Sequence, residues 1–164
     1  MERVDLQRLL ADVLPDLEER LLATSGRVEV GELPAITASP LAMRQLFQNL
    51  IANALKFHRD GVPPIVRVEA MPIRRPARAS GNAVTGWELR VSDNGIGFED
   101  HFADQIFVPF QRLHGRQAYE GTGIGLAICR RIAERHEGTI TARSTPGVGT
   151  TIVVTLPSVA VASG

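Results

Sequence analysis

The chain has 164 residues, an apolar fraction of 44%, and 18 Lys and Arg residues against 18 Asp and Glu residues. This length and composition predict one globular domain, and the balanced charge leaves no overall field that would favour nucleic acid or an anionic membrane as a partner. The single cysteine, Cys129, excludes an internal disulfide and suits a reducing compartment. The charged start does not resemble a signal peptide, and no segment has the apolar length of a membrane span. We therefore expect a cytoplasmic domain without membrane or nucleic-acid contacts.

The first 36 residues predict a long helix followed by short strands. Leucines recur near helical spacing over residues 4–24, with Asp5 available as the N-cap. Pro15 removes one main-chain hydrogen bond, so the helix should bend or divide there. Residues 27–30 and 33–36 are short and β-branched, and they predict two modest strands or one interrupted strand.

A second helix carries a row of polar side chains. Serine followed by proline at positions 39–40 is a strong helix start, and the apolar periodicity continues to about residue 57. Asn49 and Asn53 are one turn apart, and Lys56 follows three residues later, so the three lie along one edge of the helix. Taken alone, such a row is more often a solvated flank; beside the glycine-rich segments described below it indicates the edge of a binding site.

Two alternating segments, residues 65–70 and 87–92, predict antiparallel strands. The stretch between them, MPIRRPARASGNAVTG, has the composition of a hairpin tip. Its arginines at 74, 75 and 78 lack the interleaved aromatic residues of a nucleic-acid surface, so a solvated loop is the favoured interpretation.

The segment from Asp93 to residue 120 is rich in glycine and long for a structureless connection, which is typical of a functional loop. We expect a lid over residues 98–120, anchored by the apolar run IFVPF at 106–110. A helix over residues 126–135 and strands at 138–144 and 149–156 complete the fold, and the tail after residue 157 should fray.

Glycines in this half of the chain follow a pattern suited to phosphate. Gly121, Gly123 and Gly125 open directly onto the helix at 126–135, which should direct main-chain N–H groups and a helix N-terminus at an anion. A single glycine-rich turn is weak evidence. Here it follows a DxGxG sequence, Asp93, Gly95 and Gly97, and the asparagine-bearing helix, and the ordered set is far more specific.

The segments LFQNLIANALKFH, DNGIGF, IFVPFQRL, GTGIGLAICRRI and PGVGTT, in this order, resemble the N, G1, F, G2 and G3 boxes of the ATP-binding catalytic domain of sensor histidine kinases. The resemblance covers nearly the whole chain, and the KFH ending is similar to phytochrome-like and PAS-linked kinases. It implies an α/β (α+β) sandwich, the Bergerat ATP-binding fold, with a mixed, mostly antiparallel sheet covered on one face by helices and a flexible ATP lid. The elements predicted above agree with that architecture. The implied domain spans residues 1–157.

The resemblance also implies roles for individual residues. Asp93 would accept a hydrogen bond from the adenine amino group, Asn53 would hold Mg²⁺ through its amide oxygen, Lys56 would neutralise phosphate charge, and Phe57 would pack on the base. Arg112 would reach the γ-phosphate from the lid. The remaining nucleotide contacts implied are Gly95, Gly97, Phe110, Gly121, Thr122, Gly123, Gly125, Leu126 and Thr151.

Asn49 separates the possible relatives. The ATP-hydrolysing members of the superfamily and the anti-sigma-factor serine kinases carry a glutamate at the corresponding position, and asparagine cannot take up a proton. This favours a histidine kinase, whose imidazole nucleophile attacks in its neutral form. The implied function is to bind Mg-ATP and donate its γ-phosphoryl group to a histidine on a separate phosphoacceptor domain, which serves a response regulator in turn. A non-catalytic ATP-dependent interaction module and, less well supported, an anti-sigma serine kinase remain alternatives.

The histidines do not supply the acceptor. His58, His101, His114 and His136 all lie outside the helical setting of the family's phosphorylated histidine, so we expect the phosphoacceptor and dimerisation domain to be absent. His136 is expected to act as a charge at a helix C-terminus. Glu137, where many relatives have glycine, is expected to be tolerated.

Overall fold

The computed structural model describes residues 1–77, 81–108 and 125–157. A five-stranded sheet has the order β2-β4-β5-β7-β6, and a separate antiparallel pair joins β1 and β3. Only the β2-β4 contact is parallel, so the predicted mixed, mostly antiparallel sheet is confirmed. The strands are β1 Glu2–Asp5, β2 Arg27–Val30, β3 Ala35–Ala38, β4 Ile65–Ala77, β5 Gly81–Asp93, β6 Thr139–Thr145 and β7 Gly149–Pro157, and the helices are α1 Leu6–Val13, α2 Glu18–Thr24, α3 Pro40–Lys56 and α4 Gly125–Arg135.

The helix predicted over residues 4–24 divides at Pro15, as expected, but it begins later than predicted. Its first residues form β1, and a short 3₁₀ turn, Leu14–Leu17, separates α1 from α2. Pro15 lies at the start of that turn, between the two α-helices, so its missing N–H and its ring do not fall inside either of them. Asp5 is the N-cap as predicted, since its Oδ1 accepts from the N–H groups of Gln7 and Arg8 at 3.0 and 3.3 Å.

The two predicted short strands exist but belong to different sheets. Strand β2 pairs with β4, whereas β3 begins at Ala35, two residues later than predicted, and pairs with β1. Pro34 precedes β3 because it has no N–H to donate, and its carbonyl accepts from the N–H of Leu6 at 3.2 Å. Sequence spacing could not show that the two strands join different sheets, because each strand pairs with residues thirty or more positions away.

Helices cover one face of the sheet. Buried side chains of α1, α3 and α4, such as Leu10, Phe47 and Cys129, join one core with Val68 and Val91 of the sheet. The opposite face carries a row of charged residues, and Arg27 and Arg67 both form ion pairs with Glu29 there. This alternation of apolar and polar positions along the strands fixes which side chains can reach the helices.

The hairpin between β4 and β5 is longer than predicted. Pairing continues from Val66–Asp93 to Ala77–Gly81, with an irregularity between Ile73 and Arg74, so most of the stretch expected to be a loop is strand. Proline at 72 and 76 is compatible with this arrangement because, among the described strands, only β5 pairs with this part of β4. Arg78 and the tail after Pro157 lie outside the described residues.

The end of α4 corrects the role expected for His136. The ring is 8% exposed; its Nδ1 lies 2.8 Å from the carbonyl of Ile132, and its Nε2 lies 3.1 Å from the amide of Ser39. A carbonyl accepts and an N–H donates, so these contacts place an N–H on Nδ1 and leave Nε2 as the acceptor. His136 therefore joins the C-terminus of α4 to the N-cap of α3 and is not a free charge.

Glu137 follows in the left-handed conformation, with φ of 59°. The N–H of Gly138 donates to the carbonyl of Ala133 at 2.8 Å, and that of Glu137 to Glu134 at 3.0 Å. These two bonds form a Schellman motif, a common helix ending that favours glycine at the position of Glu137.

Among the described helices, none is long and apolar enough to cross a membrane.

Candidate nucleotide-binding site

The C-terminal end of α3 is bound to the turn that follows β5. The carbonyl of Phe57 accepts from the N–H of Ile96 at 2.9 Å. A Cβ on Gly95 would lie 2.3 Å from the same carbonyl oxygen, which no side chain tolerates. The glycine at this position is thus required for close approach of two backbones, and it brings the DxGxG turn against the asparagine-bearing helix.

Asp93 is the last residue of β5, on the sheet face that packs against the helices. Its Oδ1 accepts from the N–H of Gly95 at 2.8 Å, and the backbone N–H of Thr150 also donates to the carboxylate. Burial raises the pKa of Asp93 to about 6, although the two N–H donors act in the opposite direction. The site therefore holds a carboxylate in a poorly hydrated place, where a donor from a ligand would offset the desolvation.

Asn49 lies where α3 meets the start of α4. A Cβ on Gly125 would be 3.7 Å from the Asn49 Oδ1 atom, so the amide packs against the first residue of the helix that follows the GxGxG sequence. The Nδ2 atom of Asn49 is buried, and the described residues give it no hydrogen-bond acceptor. Buried polar groups are normally satisfied, so this nitrogen points to an acceptor supplied by a ligand or by the neighbouring segment.

Asn53 and Lys56 follow on the same edge of α3, and all three polar residues of the predicted row are partly exposed. The ammonium of Lys56 lies 5.2 Å from the centre of the Phe57 ring. In the described ranges no three His, Cys, Asp or Glu residues are clustered as a metal site. A single amide oxygen at Asn53 fits Mg²⁺, which keeps several waters and takes further oxygens from substrate phosphates.

Thr151 is not brought together with the other predicted residues. Its hydroxyl lies 3.1 Å from that of Ser92, on the charged face of the sheet, whereas Asp93 is on the helical face. Successive side chains of a strand point to opposite faces, so the neighbouring Thr150, which pairs directly with Asp93, is the threonine on the side of the site. A glycine followed by two threonines does not show by itself which of them faces inward.

Ser144 connects this region to the segment after the DxGxG turn. Its hydroxyl contacts that of Thr150 at 2.8 Å and accepts from the N–H of Phe98 at 2.9 Å, and its own N–H donates to Asp100 at 3.0 Å. Phe107, in the predicted IFVPF anchor, is buried in the core. The first residues of the expected lid are therefore attached to the sheet and core.

One further glycine and one asparagine support the turn. Gly97 has φ of 66°, and a Cβ there would lie 2.2 Å from the carbonyl oxygen of Thr145. Asn94 accepts from the N–H of Ile65 at 2.9 Å and donates to the carbonyl of Pro63 at 3.3 Å. Asn94 and Ser144 were not among the predicted site residues. An asparagine beside glycine in a turn is a sequence signal for such local bonding, but no comparable signal marks the serine.

Of the remaining predicted site residues, only Leu126 lies among the residues that the structure describes. Leu126 is partly buried and packs against the core at the start of α4. Phe110, Arg112, Gly121, Thr122 and Gly123 lie outside the described residues. The described site thus consists of the α3 edge, the Asp93 turn, Thr150 and the first turn of α4.

This arrangement, with a carboxylate at the end of a central strand and an amide-lined helix facing a glycine-led helix, defines an ATP-binding domain of the Bergerat type. Residues 38–160 match the family described as histidine kinase-, DNA gyrase B- and HSP90-like ATPases. Because the match covers most of the chain, the chain belongs to this family.

Similar proteins of this family include a phytochrome-like protein and a sensor kinase. The chain is 40% identical over 153 residues to the phytochrome-like protein Cph1 of Synechocystis sp., covering 93% of this chain and 19% of that protein. It is 37% identical over 149 residues to the sensor protein kinase WalK of Staphylococcus aureus, covering 87% of this chain and 23% of that protein. The chain therefore spans about a fifth of the length of the curated relatives. The predicted resemblance to histidine kinase catalytic domains is confirmed.

Solved structures confirm the fold. The mycobacterial sensor histidine kinase MprB superposes with a TM-score of 0.74 at 24% identity, covering 95% of this chain and 97% of that one. The catalytic domain of the histidine kinase ThkA, in a nucleotide-free form, gives a TM-score of 0.72 at 22% identity over 96% of this chain and 99% of that one.

Proposed function

We propose that this chain binds Mg-ATP and transfers its γ-phosphoryl group to a histidine on a separate phosphoacceptor domain of a parent kinase in two-component signalling. The observation that carries the proposal is Asn49, whose side chain packs against the first residue of α4 and whose buried amide nitrogen has no acceptor among the described residues. The sequence identity with phytochrome-like and sensor kinases supports it. The domain is residues 1–157, with its lid over 98–120, and it acts in the cytoplasm.

The adenine base is read by Asp93. The carboxylate would accept from the 6-amino group, whereas the 6-oxygen of guanine would face a negative charge. Phe57 lies at the end of α3, beside the same turn, and would pack on the base. Support comes from the burial that raises the pKa of Asp93, because a buried carboxylate with two N–H donors gains from a third donor.

The triphosphate would lie along the polar edge of α3 towards α4. Asn53 would hold Mg²⁺ by its amide oxygen, and the bound ion supplies positive charge to the β- and γ-phosphates. Lys56 would neutralise a phosphate oxygen, and the main-chain N–H groups from Gly121 to Gly125, with the Thr122 hydroxyl, would donate to the phosphates. Arg112 would stabilise the charge on the leaving and transferred groups.

The residues at this site position the phosphates; none of the three polar residues of the α3 edge is a base. Asn49 can orient a phosphate or a water, but it cannot remove a proton, which disfavours hydrolysis and the anti-sigma serine kinase alternative. Transfer to an imidazole requires no base when the ring is neutral.

Calorimetric titration tests the binding step. A non-hydrolysable ATP analogue should bind more tightly with Mg²⁺ than without it, and the GTP analogue should bind far more weakly. Asn53→Ala should abolish the gain from Mg²⁺. Gln45→Ala, an amide truncation on the exposed side of the same helix, is the matched control and should bind normally.

Phosphotransfer separates the kinase from the non-catalytic alternative. The chain is mixed with ATP labelled at the γ-phosphate and with the phosphoacceptor domain encoded by the same gene. Acid-labile label on the acceptor histidine supports the proposal. Tight Mg-ATP binding without transfer to that domain would instead favour an interaction module whose surface ATP controls.

A further inference from the structure

Ser144 and Thr150 form a hydroxyl pair beside Asp93 that the function proposed above leaves unused. Thr150 faces Asp93 across the β5-β7 pair and faces Ser144 across the β6-β7 pair, so the three residues lie side by side on the helical face of the sheet. The two hydroxyl oxygens are 2.8 Å apart. Ser144 is 8% exposed, and therefore its hydrogen bonds must be made within the protein.

The partners of Ser144 decide which hydroxyl donates. The Ser144 hydroxyl lies 2.9 Å from the carbonyl of Gly149, which can only accept, so its single proton is used there. Its oxygen accepts from the N–H of Phe98 at 2.9 Å, which fills one lone pair. The contact with Thr150 then requires the Thr150 proton, and all four positions around the serine oxygen are occupied.

The geometry points to Ser144 as a positioning residue for base specificity, acting through Thr150. With its proton held by Ser144, the Thr150 hydroxyl presents only lone pairs towards the base, next to the Asp93 carboxylate. Two acceptors side by side favour a nucleotide with an exocyclic amino group over one with a carbonyl at that place. This inference rests on the proposed binding of ATP at Asp93.

Inosine triphosphate (ITP) is the probe, because it carries a carbonyl in place of the 6-amino group of ATP. The measured quantity is the ratio of the dissociation constants for ITP and ATP. Thr150→Val removes an acceptor and should lower this ratio by about three- to tenfold, the range of one neutral hydrogen bond. If Thr150 donated to the base, the same substitution would raise the ratio; a raised or unchanged ratio overturns the inference.

Ser144→Ala tests the coupling. The Thr150 proton loses its acceptor and becomes available to a base carbonyl, so the ratio should fall by a similar factor. In the Thr150→Val background, Ser144→Ala should change the ratio by less than about twofold, because the hydroxyl through which it acts is gone. An equal fall in both backgrounds would show that Ser144 acts by another route and would overturn the inference.

Ser92→Ala is the matched control, since it removes one member of a similar hydroxyl pair on the opposite face of the sheet. It should leave the ratio unchanged, and a fall equal to that of Ser144→Ala would overturn the inference. Circular dichroism verifies that each variant folds. If Ser144→Ala does not fold, the inference is still tested by whether Thr150→Val lowers or raises the ratio of the dissociation constants. A wild-type chain that binds neither nucleotide would refute the proposed function itself, whereas selective ATP binding with unchanged ratios in the variants would refute only this inference.

Discussion

At the scale of single residues, burial gives Asp93 a chemistry that its side chain does not have in water. The carboxylate lies at the end of β5 with two main-chain donors, and its pKa is raised from 3.8 to about 6. The charged form, which the proposed contact with the adenine amino group needs, is therefore partly lost at mildly acidic pH. We expect this single property to make both nucleotide recognition and stability depend on pH.

Nucleotide discrimination should follow the ionisation of Asp93. As pH falls below about 6, the protonated carboxyl can donate to a base carbonyl, so the preference for ATP over ITP should decrease. Titration of the triphosphate is common to both ligands and cancels in the ratio. Calorimetry between pH 5 and 8 measures it, and Asp93→Asn should show a low ratio without this pH dependence. A wild-type ratio that stays constant would contradict the role of Asp93.

The raised pKa of Asp93 should also make the free energy of unfolding depend on pH. The folded chain holds the Asp93 proton more tightly than the unfolded chain, so the free energy of unfolding should decrease as pH rises from 3.8 to about 6, and this contribution should be constant above that. The decrease should be about 2–3 kcal/mol. Urea unfolding of the wild type and Asp93→Asn at several pH values isolates it, because other groups titrate in both proteins. If the free energies of unfolding of the wild type and Asp93→Asn changed in parallel with pH, the predicted contribution of Asp93 would be contradicted.

Two glycines of the sequence motifs should respond differently to alanine. In Gly95→Ala the new Cβ would lie 2.3 Å from the Phe57 carbonyl, which should lower the free energy of unfolding by about 2–4 kcal/mol or prevent folding. In Gly125→Ala the nearest atom of the described residues is 3.7 Å away, so stability should stay within about 0.5 kcal/mol. Thermal unfolding of both variants measures the difference, and equal losses would mean that the close approach at Gly95 is not the cause.

At the scale of elements, α4 is held against α3 at both of its ends. Asn49 packs against Gly125 at the site, and at the far end His136 accepts from the N–H of Ser39, the N-cap of α3. An N–H at Nε2 would face that donor, so the link needs Nε2 as an acceptor. The helix that carries the polar row and the helix that begins at Gly125 are thereby kept in one register.

Glu137 offers a direct measure of the α4 ending. Its φ of 59° disfavours any residue with a Cβ, so Glu137→Gly should raise the free energy of unfolding by about 0.5–1 kcal/mol. Glu134→Gly, at an exposed position inside the same helix, should lower it by about 1 kcal/mol. Denaturant midpoints of the two variants should therefore move in opposite directions; a loss of stability in both would refute the Schellman ending.

At the scale of the whole molecule, the helices and the sheet share one core. Buried residues from β1 to β7, including Leu6, Met43 and Val154, belong to a single cluster, so no group of elements has an independent core among the described residues. Unfolding should therefore be cooperative. Trp87, the one tryptophan of the chain, reports on the sheet by fluorescence, and far-ultraviolet circular dichroism reports on the helices. The two transitions should coincide, and separate midpoints would indicate two units.

Local patterns in the sequence by themselves determined the helices at residues 40–56 and 125–135, the Asp5 and Ser39 caps, most strands, and the family through its ordered boxes. These depend on periodicity and on side chains that act within a few residues. Only the tertiary structure decided that Thr150 and not Thr151 faces Asp93, that His136 is a buried link between α4 and α3, that β3 pairs with β1, and that the hydroxyls of Ser144 and Thr150 are in contact. Each of these depends on strand register or on contacts between distant residues, because a shift of one position turns a side chain to the other face of the sheet.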